Sequence, residues 1–239
     1  MNKLPGTPRS HAFFFALLAI LLYANTLQHG FVLDDDVVIV KNHFVQQGWS
    51  GWKDIFTHDS FAGYERVEQE GSVLEGGRYR PLSLAWFALV ISLFGSAPWI
   101  FHVFNILLYA ASCALLYRVL ILVLKDVPQG AWISFLTALL FTVHPVHTEV
   151  VANIKSADEI LALLLGLGAI YSLFRAWNTQ RASSAWIAAV CMWLACLAKE
   201  NAVTLIVTIP LAIWYFRKTT WLQAGQYAIP LVMGVAAFL

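Results

Sequence analysis

Charged residues are scarce in this sequence. Asp, Glu, Lys and Arg make up 12% of the 239 residues, about half of the roughly 25% that is usual in soluble domains. Hydrophobic residues make up 59%, the mean hydropathy is +0.68, and the apolar residues stand in long runs. A net charge of +1 without a basic stripe argues against a nucleic-acid partner. The composition therefore predicts a polytopic membrane protein.

Cysteine is also scarce, and its positions exclude two kinds of site. Cys113, Cys191 and Cys196 all fall inside apolar runs, and none stands in a polar loop. The spacing of the last two does not match a metal-binding knuckle. The sequence therefore predicts neither a disulfide framework nor a cysteine metal site.

Seven apolar stretches approach the length of about 20 residues that a membrane span needs. The first has no convincing signal-peptide cleavage site, so we expect it to remain as an uncleaved span. The polar trio Lys199-Glu200-Asn201 interrupts an apolar region that would otherwise form a helix of about 50 Å, so we expect a turn there. We predict an all-α bundle of about seven transmembrane helices in a single membrane domain, residues 1–239. The spans are approximately 11–28, 99–124, 131–147, 157–175, 183–199, 201–216 and 221–239.

The positions of basic residues predict which side of the membrane each loop faces. Lys3 and Arg9 place the N-terminus in the cytoplasm. Residues 81–95 are apolar but short. If they crossed the membrane, the later basic residues would lie outside, whereas these residues fall in the cytoplasm if residues 81–95 do not cross. We therefore expect residues 81–95 to lie in the interface or to re-enter, within an outer loop of about residues 28–98. In this topology every acidic residue except Asp126 lies outside. The later basic residues are Lys125, Arg175, Arg181, Arg217 and Lys218.

The outer loop contains two segments of different character. Residues 49–56 (WSGWKDIF) carry apolar groups at a helical spacing, which predicts a short interfacial helix. Residues 67–77 are polar and rich in glycine, which predicts a mobile loop.

Three consecutive aspartates, Asp34-Asp35-Asp36, follow the first apolar stretch closely. Adjacent like charges repel one another and are costly at a membrane boundary, so their position needs an explanation. They are compatible with a divalent-metal motif, with a general base, or with the solvated cap of a helix that begins near Val37.

Two further polar clusters stand at the ends of apolar stretches. His144, His147 and Glu149 surround a helix-breaking proline and are compatible with metal binding, with donation to a phosphate, or with helix capping. Lys155 and Asp158 follow shortly afterwards.

Arginine and lysine are the residue types that hold phosphate groups. Arg78 and Arg80 precede residues 81–95, where contact with lipid headgroups is the alternative to phosphate binding. For Lys199 and Glu200 the alternative is a local ion pair.

Carboxylates and cations together at a membrane surface suit glycosyl transfer from a lipid-linked phosphosugar. A carboxylate deprotonates the acceptor hydroxyl while a cation neutralises the departing phosphate. The rival hypotheses are a transporter or flippase-like carrier and a non-catalytic membrane scaffold. A carrier places its ionisable residues in mid-span, whereas here they gather at span ends, which favours surface chemistry.

Four motifs in order carry a family resemblance: residues 30–42 (GFVLDDDVVIVKN), 78–87 (RYRPLSLAWF) leading to 99–110, 141–162 (FTVHPVHTEVVANIKSADEILA) and 197–206 (LAKENAVTLI). On these motifs the chain resembles the GT-C class of polytopic glycosyltransferases, most closely the membrane region of the transmembrane and tetratricopeptide-repeat O-mannosyltransferases.

The resemblance implies a polyprenyl-phosphate sugar donor (dolichyl or undecaprenyl), a protein or glycan acceptor, and contact with membrane lipids. It implies inverting transfer on the periplasmic or luminal side of a bacterial inner membrane or endoplasmic reticulum. Asp34 falls at the position of the catalytic base and Asp35 follows it. The resemblance does not decide whether a divalent metal takes part. The donor-phosphate residues that it implies are Arg78, Arg80, His144, His147, Glu149, Lys155, Asp158, Lys199 and Glu200.

The chain departs from the family pattern in three places. Lys155 stands near the position of an arginine that is common in animal relatives, and Asn201 stands where glutamine is usual. The apolar run still continues at Leu239, whereas the family carries further spans and often a repeat domain. We therefore expect a fragment or a truncated gene product.

Overall fold

A computed structural model of the chain describes residues 4–65 and 78–238, so the loop predicted over residues 67–77 lies outside the described residues. Every regular element in these two ranges is helical. Short 3₁₀ segments cover Ala24–Gln28, Gly48–Gly51, Ile154–Ser156 and Glu200–Thr204, and a π-helical segment covers Asp36–Val40. The α-helices are α1 (Pro8–Tyr23), α2 (His43–Gln46), α3 (Trp52–Thr57), α4 (Ala62–Glu65), α5 (Pro81–Phe94), α6 (Pro98–Val123), α7 (Gly130–Val143), α8 (His147–Val151), α9 (Ala157–Thr179), α10 (Ala182–Ala198), α11 (Leu205–Arg217), α12 (Trp221–Gln226) and α13 (Ile229–Ala236).

Three helical stretches in the described ranges are long and apolar enough to cross a membrane. They are Pro8–Gln28, Pro98–Val123 and Ile154–Thr179. α7 and α10 are apolar but have only 14 and 17 residues. The prediction of an all-helical membrane protein is confirmed at this level, while the number of about seven spans is not.

The predicted helix boundaries hold at one place and fail at another. α10 ends at Ala198 and the next turn begins at Glu200, as the polar trio predicted. Residues 221–239, however, do not form one span. The helix is interrupted at Tyr227 and Ala228, which leaves α12 with six residues and α13 with eight. Pro230 near the start of α13 has no N–H to continue the hydrogen-bond ladder of α12.

The core is built around α6 and α9. α1 packs along α6, α6 packs along α9, and α9 packs along α10. Small buried residues on α10, among them Ala188, Ala195 and Cys196, allow the backbones to approach closely. Phe174 and Leu173 of α9 fill the resulting interface. The charged ends of these helices are thereby held in fixed positions.

The outer segment folds onto α5. Phe44 and Ile55 are buried against Phe87 and its neighbours, and a Cβ atom at Gly51 would collide with the carbonyl of Phe44. The helical character predicted for residues 49–56 is confirmed by the 3₁₀ turn Gly48–Gly51 and α3. α5 has 14 residues and so spans about 21 Å. This is shorter than the roughly 30 Å of a bilayer core. α7, which lies in a stretch predicted to cross, has the same 14 residues, so the non-crossing of residues 81–95 stays a prediction.

Candidate functional site

The aspartate triplet lies on a tight turn. Leu33, directly before it, has a left-handed backbone with φ of 49°, a conformation that costs energy for a residue with a branched side chain. The π-helical segment Asp36–Val40 follows at once, and short π-helical insertions are frequent at functional sites. The turn exposes Asp34 and Asp36 and buries Asp35.

Asp35 joins the turn to a distant part of the chain. One carboxylate oxygen accepts a hydrogen bond from the Val32 N–H at 2.9 Å, and the other accepts from the Lys155 N–H at 2.8 Å. Burial raises the pKa of Asp35 above its ordinary value, although both N–H donors favour the charged carboxylate. Asp35 therefore positions the turn beside the segment that leads into α9.

The triplet does not cap the segment that follows it through a side-chain hydrogen bond, although Asp36 lies in the first turn of that segment. No side chain accepts a hydrogen bond from the first turn of Asp36–Val40. The main-chain carbonyl of Asp34 accepts from the Val37 and Val38 N–H groups instead. The carboxylates of Asp34 and Asp36 are thus exposed and not engaged in capping.

Arg80 lies at the centre of a charged network. Pro81 begins α5, and the Arg80 N–H donates to Ser60 Oγ at 3.1 Å, which fixes the backbone. The guanidinium donates to both carboxylate oxygens of Glu200, at 2.6 and 2.9 Å, and to Asp158 at 2.8 Å. This paired geometry lowers the pKa of Glu200 to about 2 and raises the pKa of Arg80. The network joins α5, α9 and the α10–α11 turn.

Two lysines extend the network. The Lys155 ammonium lies 3.6 Å from the same Asp158 oxygen that Arg80 contacts. Lys199 pairs with Glu159 of α9 rather than with Glu200, so the local ion-pair interpretation is wrong. Lys199 has an extended backbone, and the 3₁₀ turn begins at the next residue, which separates the two side chains. Burial lowers the pKa of Lys199.

A pocket opens beside this network. Arg78, Arg80 and Lys155 line it together with one carboxylate, that of Asp158. Leu84 and Phe87 belong to its apolar lining. The cavity has a volume of about 30 Å³, which is space for about one water molecule. The Arg80 guanidinium already pairs with Asp158 and Glu200, so Arg78 and Lys155 are the less engaged cations of its lining.

The structure places the remaining predicted residues elsewhere. His144 and Glu149 are exposed, and the ring of His147 packs on Phe141 with a centroid distance of 4.3 Å. The rings of His144 and His147 are 6.1 Å apart. Within residues 4–65 and 78–238, His, Cys, Asp and Glu form no group of three or more arranged to hold a metal. The metal interpretation of this cluster thus lacks a ligand set among these residues.

The predicted set of site residues left out two contributors to the network. Ser60 fixes the backbone of Arg80, and Glu159 pairs with Lys199. Ser60 stands in an ordinary polar segment, so no motif could have identified it. Glu159 adjoins Asp158 in a recognisable motif, but the sequence alone does not show which lysine it faces.

Comparison with known proteins gives a consistent set of relatives. No family model and no solved structure matches. The chain is 38% identical over 168 residues to human protein O-mannosyl-transferase TMTC1. The aligned region covers 70% of this chain and 18% of that protein. It is 34% identical over 198 residues to Drosophila melanogaster Tmtc2, an alignment that covers 80% of this chain and 20% of that protein. It is 33% identical over 206 residues to human TMTC4, an alignment that covers 79% of this chain and 27% of that protein. Both relatives are also named protein O-mannosyl-transferases.

The chain therefore spans about a fifth of the length of the first two relatives. The matches cover most of its own length, and all three relatives carry the same enzyme name. They confirm the family resemblance that the four motifs predicted.

Proposed function

We propose that this chain, a homologue of the TMTC protein O-mannosyl-transferases, carries part of the catalytic site of a membrane glycosyltransferase. The reaction moves mannose from a polyprenyl-phosphate donor to a hydroxyl group of a protein. The main support is the continuous polar network that joins the aspartate turn, through Asp35 and Lys155, to Asp158 and Arg80.

Asp34 is the base in this proposal. Its side chain is exposed at the tip of a turn, so an acceptor hydroxyl can reach it. Asp35, which lies next to it, is buried and holds two main-chain N–H groups, so it acts as a positioning residue. A base must lie within hydrogen-bond reach of the proton it removes, and a rigid turn supplies that placement.

The cations of the pocket bind the phosphate of the donor. Arg80 already engages two carboxylates, so it holds the frame together. Arg78 is exposed, and Lys155 approaches Asp158 only at 3.6 Å. These two cations are therefore the ones available to a phosphate, where they stabilise the charge that develops as it leaves.

The transfer is a single displacement with inversion. The acceptor oxygen forms a bond to the anomeric carbon while the bond from that carbon to the phosphate oxygen breaks. The hydroxyl proton passes to Asp34, and the polyprenyl phosphate departs with the electron pair of the broken bond.

The proposal places the network on the outer or luminal side of the membrane, with the N-terminus in the cytoplasm. Arg80, Asp158 and Glu200 contact one another directly, so they must lie on the same side. The basic residues near the opposite ends of α6 and α9 support the cytoplasmic assignment of that side.

The experiment compares Asp34→Asn with Asp36→Asn. Both aspartates are exposed and adjacent to Asp35, so Asp36→Asn is a matched control for charge and local structure. Mannose transfer is measured in membranes that contain the protein and a radiolabelled polyprenyl-phosphate mannose. We expect Asp34→Asn to lose about 10²–10⁴-fold in rate, the usual contribution of a general base. Asp36→Asn should keep most of the activity, and equal rates in both variants would reject Asp34 as the base.

A further inference from the structure

Two polar contacts join α6 to α9 far from the charged network. The Arg118 guanidinium of α6 lies over the ring of Tyr171, with Cζ 5.5 Å from the ring centroid, and donates to the Tyr171 hydroxyl at 3.4 Å. Seven residues further along the chain, the Lys125 ammonium donates to Asn178 Oδ1 at 2.8 Å. Tyr171 follows Asp158 by 13 residues, which corresponds to about 20 Å of helix. The two contacts therefore lie towards the end of the bundle opposite to the candidate site.

Arg175 adds a third cation to this side of α9. It follows Tyr171 by four positions and precedes Asn178 by three, a spacing that places the three side chains on one face of the helix. Arg175, like Arg118 and Lys125, is exposed. These three basic residues form a cationic seam between α6 and α9.

The cationic seam carries more positive charge than the neighbouring carboxylates neutralise. In the described ranges the carboxylate that pairs with it is that of Asp126, 3.9 Å from the Lys125 ammonium. Asp126 also lies 3.5 Å from the guanidinium of Arg217, so two cations share it. The ion pairs formed within these ranges include neither Arg118 nor Arg175. The seam can therefore accept an anion from outside the described residues.

The depth of Arg118 in the membrane favours such an anion. α6 is long and apolar enough to cross a membrane, and it ends at Val123, five residues after Arg118. The Cα atom of Arg118 is thus about 8 Å from the end of a helix of about 39 Å, which is about 9 Å longer than a bilayer core. This places Arg118 near the boundary between hydrocarbon and headgroups. A charged side chain is costly there without a partner, and lipid phosphates are the anions at that boundary.

The same side of α6 is apolar towards the middle of the membrane. Leu107 and Ala111 precede Arg118 by 11 and seven residues, so the three side chains share one face of the helix. Leu107 is 48% exposed, and Ala111 is also exposed. An apolar stripe that leads to a cluster of cations matches an acyl chain that ends in a phosphate, and a soluble phosphate compound would leave the stripe uncovered.

We propose that the cationic seam binds the phosphate of an anionic phospholipid, with an acyl chain along Leu107 and Ala111. Arg118 and Arg175 supply the main attraction, because they have no carboxylate partner among the described residues. A zwitterionic lipid is bound less well, because its own ammonium group is repelled by the seam. In the topology proposed above the seam faces the cytoplasmic leaflet, where anionic lipids are concentrated. The bound lipid then bridges α6 and α9.

The test measures lipid binding by native mass spectrometry. The full chain is delipidated in detergent and titrated with phosphatidylglycerol or, separately, with phosphatidylcholine, and we expect tighter binding of phosphatidylglycerol. Arg118→Gln and Arg175→Gln should each weaken that binding about fivefold, the usual contribution of one basic residue near anionic lipid. Neither change should alter the binding of phosphatidylcholine. Arg118→Lys keeps the charge and should retain most of the affinity.

Arg9→Gln is the matched control. Arg9 is exposed and lies at the same end of the bundle, because His11 of α1 has its Nδ1 atom 2.8 Å from the hydroxyl oxygen of Tyr117. It belongs to α1 and not to the cationic seam, so this variant removes the same charge and should bind phosphatidylglycerol like the unmodified chain. Equal losses in Arg9→Gln and Arg118→Gln would show a general attraction to basic residues and overturn the proposal. Equal affinity of the unmodified chain for the two lipids would also overturn it.

Glycerol 3-phosphate distinguishes a lipid from a soluble phosphate compound. It carries the phosphate without acyl chains, so in excess it should not displace phosphatidylglycerol. Displacement would assign the cationic seam to a soluble ligand and overturn the lipid proposal. These measurements do not depend on mannose transfer, so the result for the seam and the result for Asp34 stand or fail separately.

Discussion

Arg80→Met tests whether the charged network depends on one side chain. The change keeps the apolar stem and removes the guanidinium that contacts Asp158 and Glu200. The side chain of Asp158 is only 2% exposed, so its charge would remain buried without its main partner. Glu200 is 55% exposed and can turn to water, so the loss of its pairing with Arg80 should cost less than the loss of the partner of Asp158.

Removal of one partner from a buried ion pair costs about 3–5 kcal/mol. We expect the lower end, about 3 kcal/mol, because Lys155 at 3.6 Å and the Glu159 N–H at 2.7 Å still compensate Asp158 in part. For a chain of this length that corresponds to a fall in melting temperature of roughly 6–12 °C. Thermal unfolding followed by tryptophan fluorescence in detergent measures the change.

A double-mutant cycle with Asp158→Asn completes the test. If the cost arises from a stranded carboxylate, Arg80→Met should cost only about 1 kcal/mol when Asp158 is already neutral. The exposed neighbour Arg78 supplies the control, since Arg78→Met should change stability by less than about 0.5 kcal/mol. The same cost for Arg80→Met in both backgrounds would refute the coupling between Arg80 and Asp158.

Three further predictions follow from other contacts. Asp35→Asn places an amide N–H₂ against one of two main-chain N–H donors. The substitution should therefore reduce the free energy of unfolding by about 1–3 kcal/mol. Stability equal to that of the unmodified chain would show that the turn is held by other contacts. The pKa of Glu200 is depressed from 4.5 to about 2, so its carboxylate stabilises the fold above about pH 4.5 and loses this effect as the pH falls towards 2. The difference in melting temperature between the unmodified chain and Glu200→Gln should therefore shrink over that range, and a difference that grows on acidification would contradict the ion pair. In a background without Cys113, Cys191 and Cys196, His147→Cys should react with an impermeant maleimide only from the outer side, and labelling only from the cytoplasmic side would reverse the topology.

The sequence was sufficient for the parts of the fold that depend on apolar length and helix breakers. Long apolar runs predicted α6 and α9, and the polar trio predicted the break after Ala198. The region after Trp221 was harder to predict. Its composition is apolar throughout, but Pro230 and the local packing divide it into two short helices. Hydropathy records length but not this kind of interruption.

The candidate site was predictable as a set of residues but not as a set of pairs. Arg80, Asp158, Lys199 and Glu200 all came from motifs at span ends, and the structure brings them together. Which carboxylate faces which cation depends on how α5, α9 and the α10–α11 turn pack, and no local pattern encodes this. For that reason the alternative interpretation, a local ion pair between Lys199 and Glu200, was wrong.

The hydrogen bonds of Asp35 and Arg80 also have a consequence for biosynthesis. Asp35 and Lys155 are 120 residues apart in the chain, and so are Arg80 and Glu200. At about 5–20 residues per second, each early partner is made roughly 6–24 s before the late one. Contacts between such distant residues also form slowly, because a long loop must close first. The network can therefore form only after the α10–α11 turn has reached the side of the membrane where the aspartate turn already lies, and its completion is a late step in the folding of this segment.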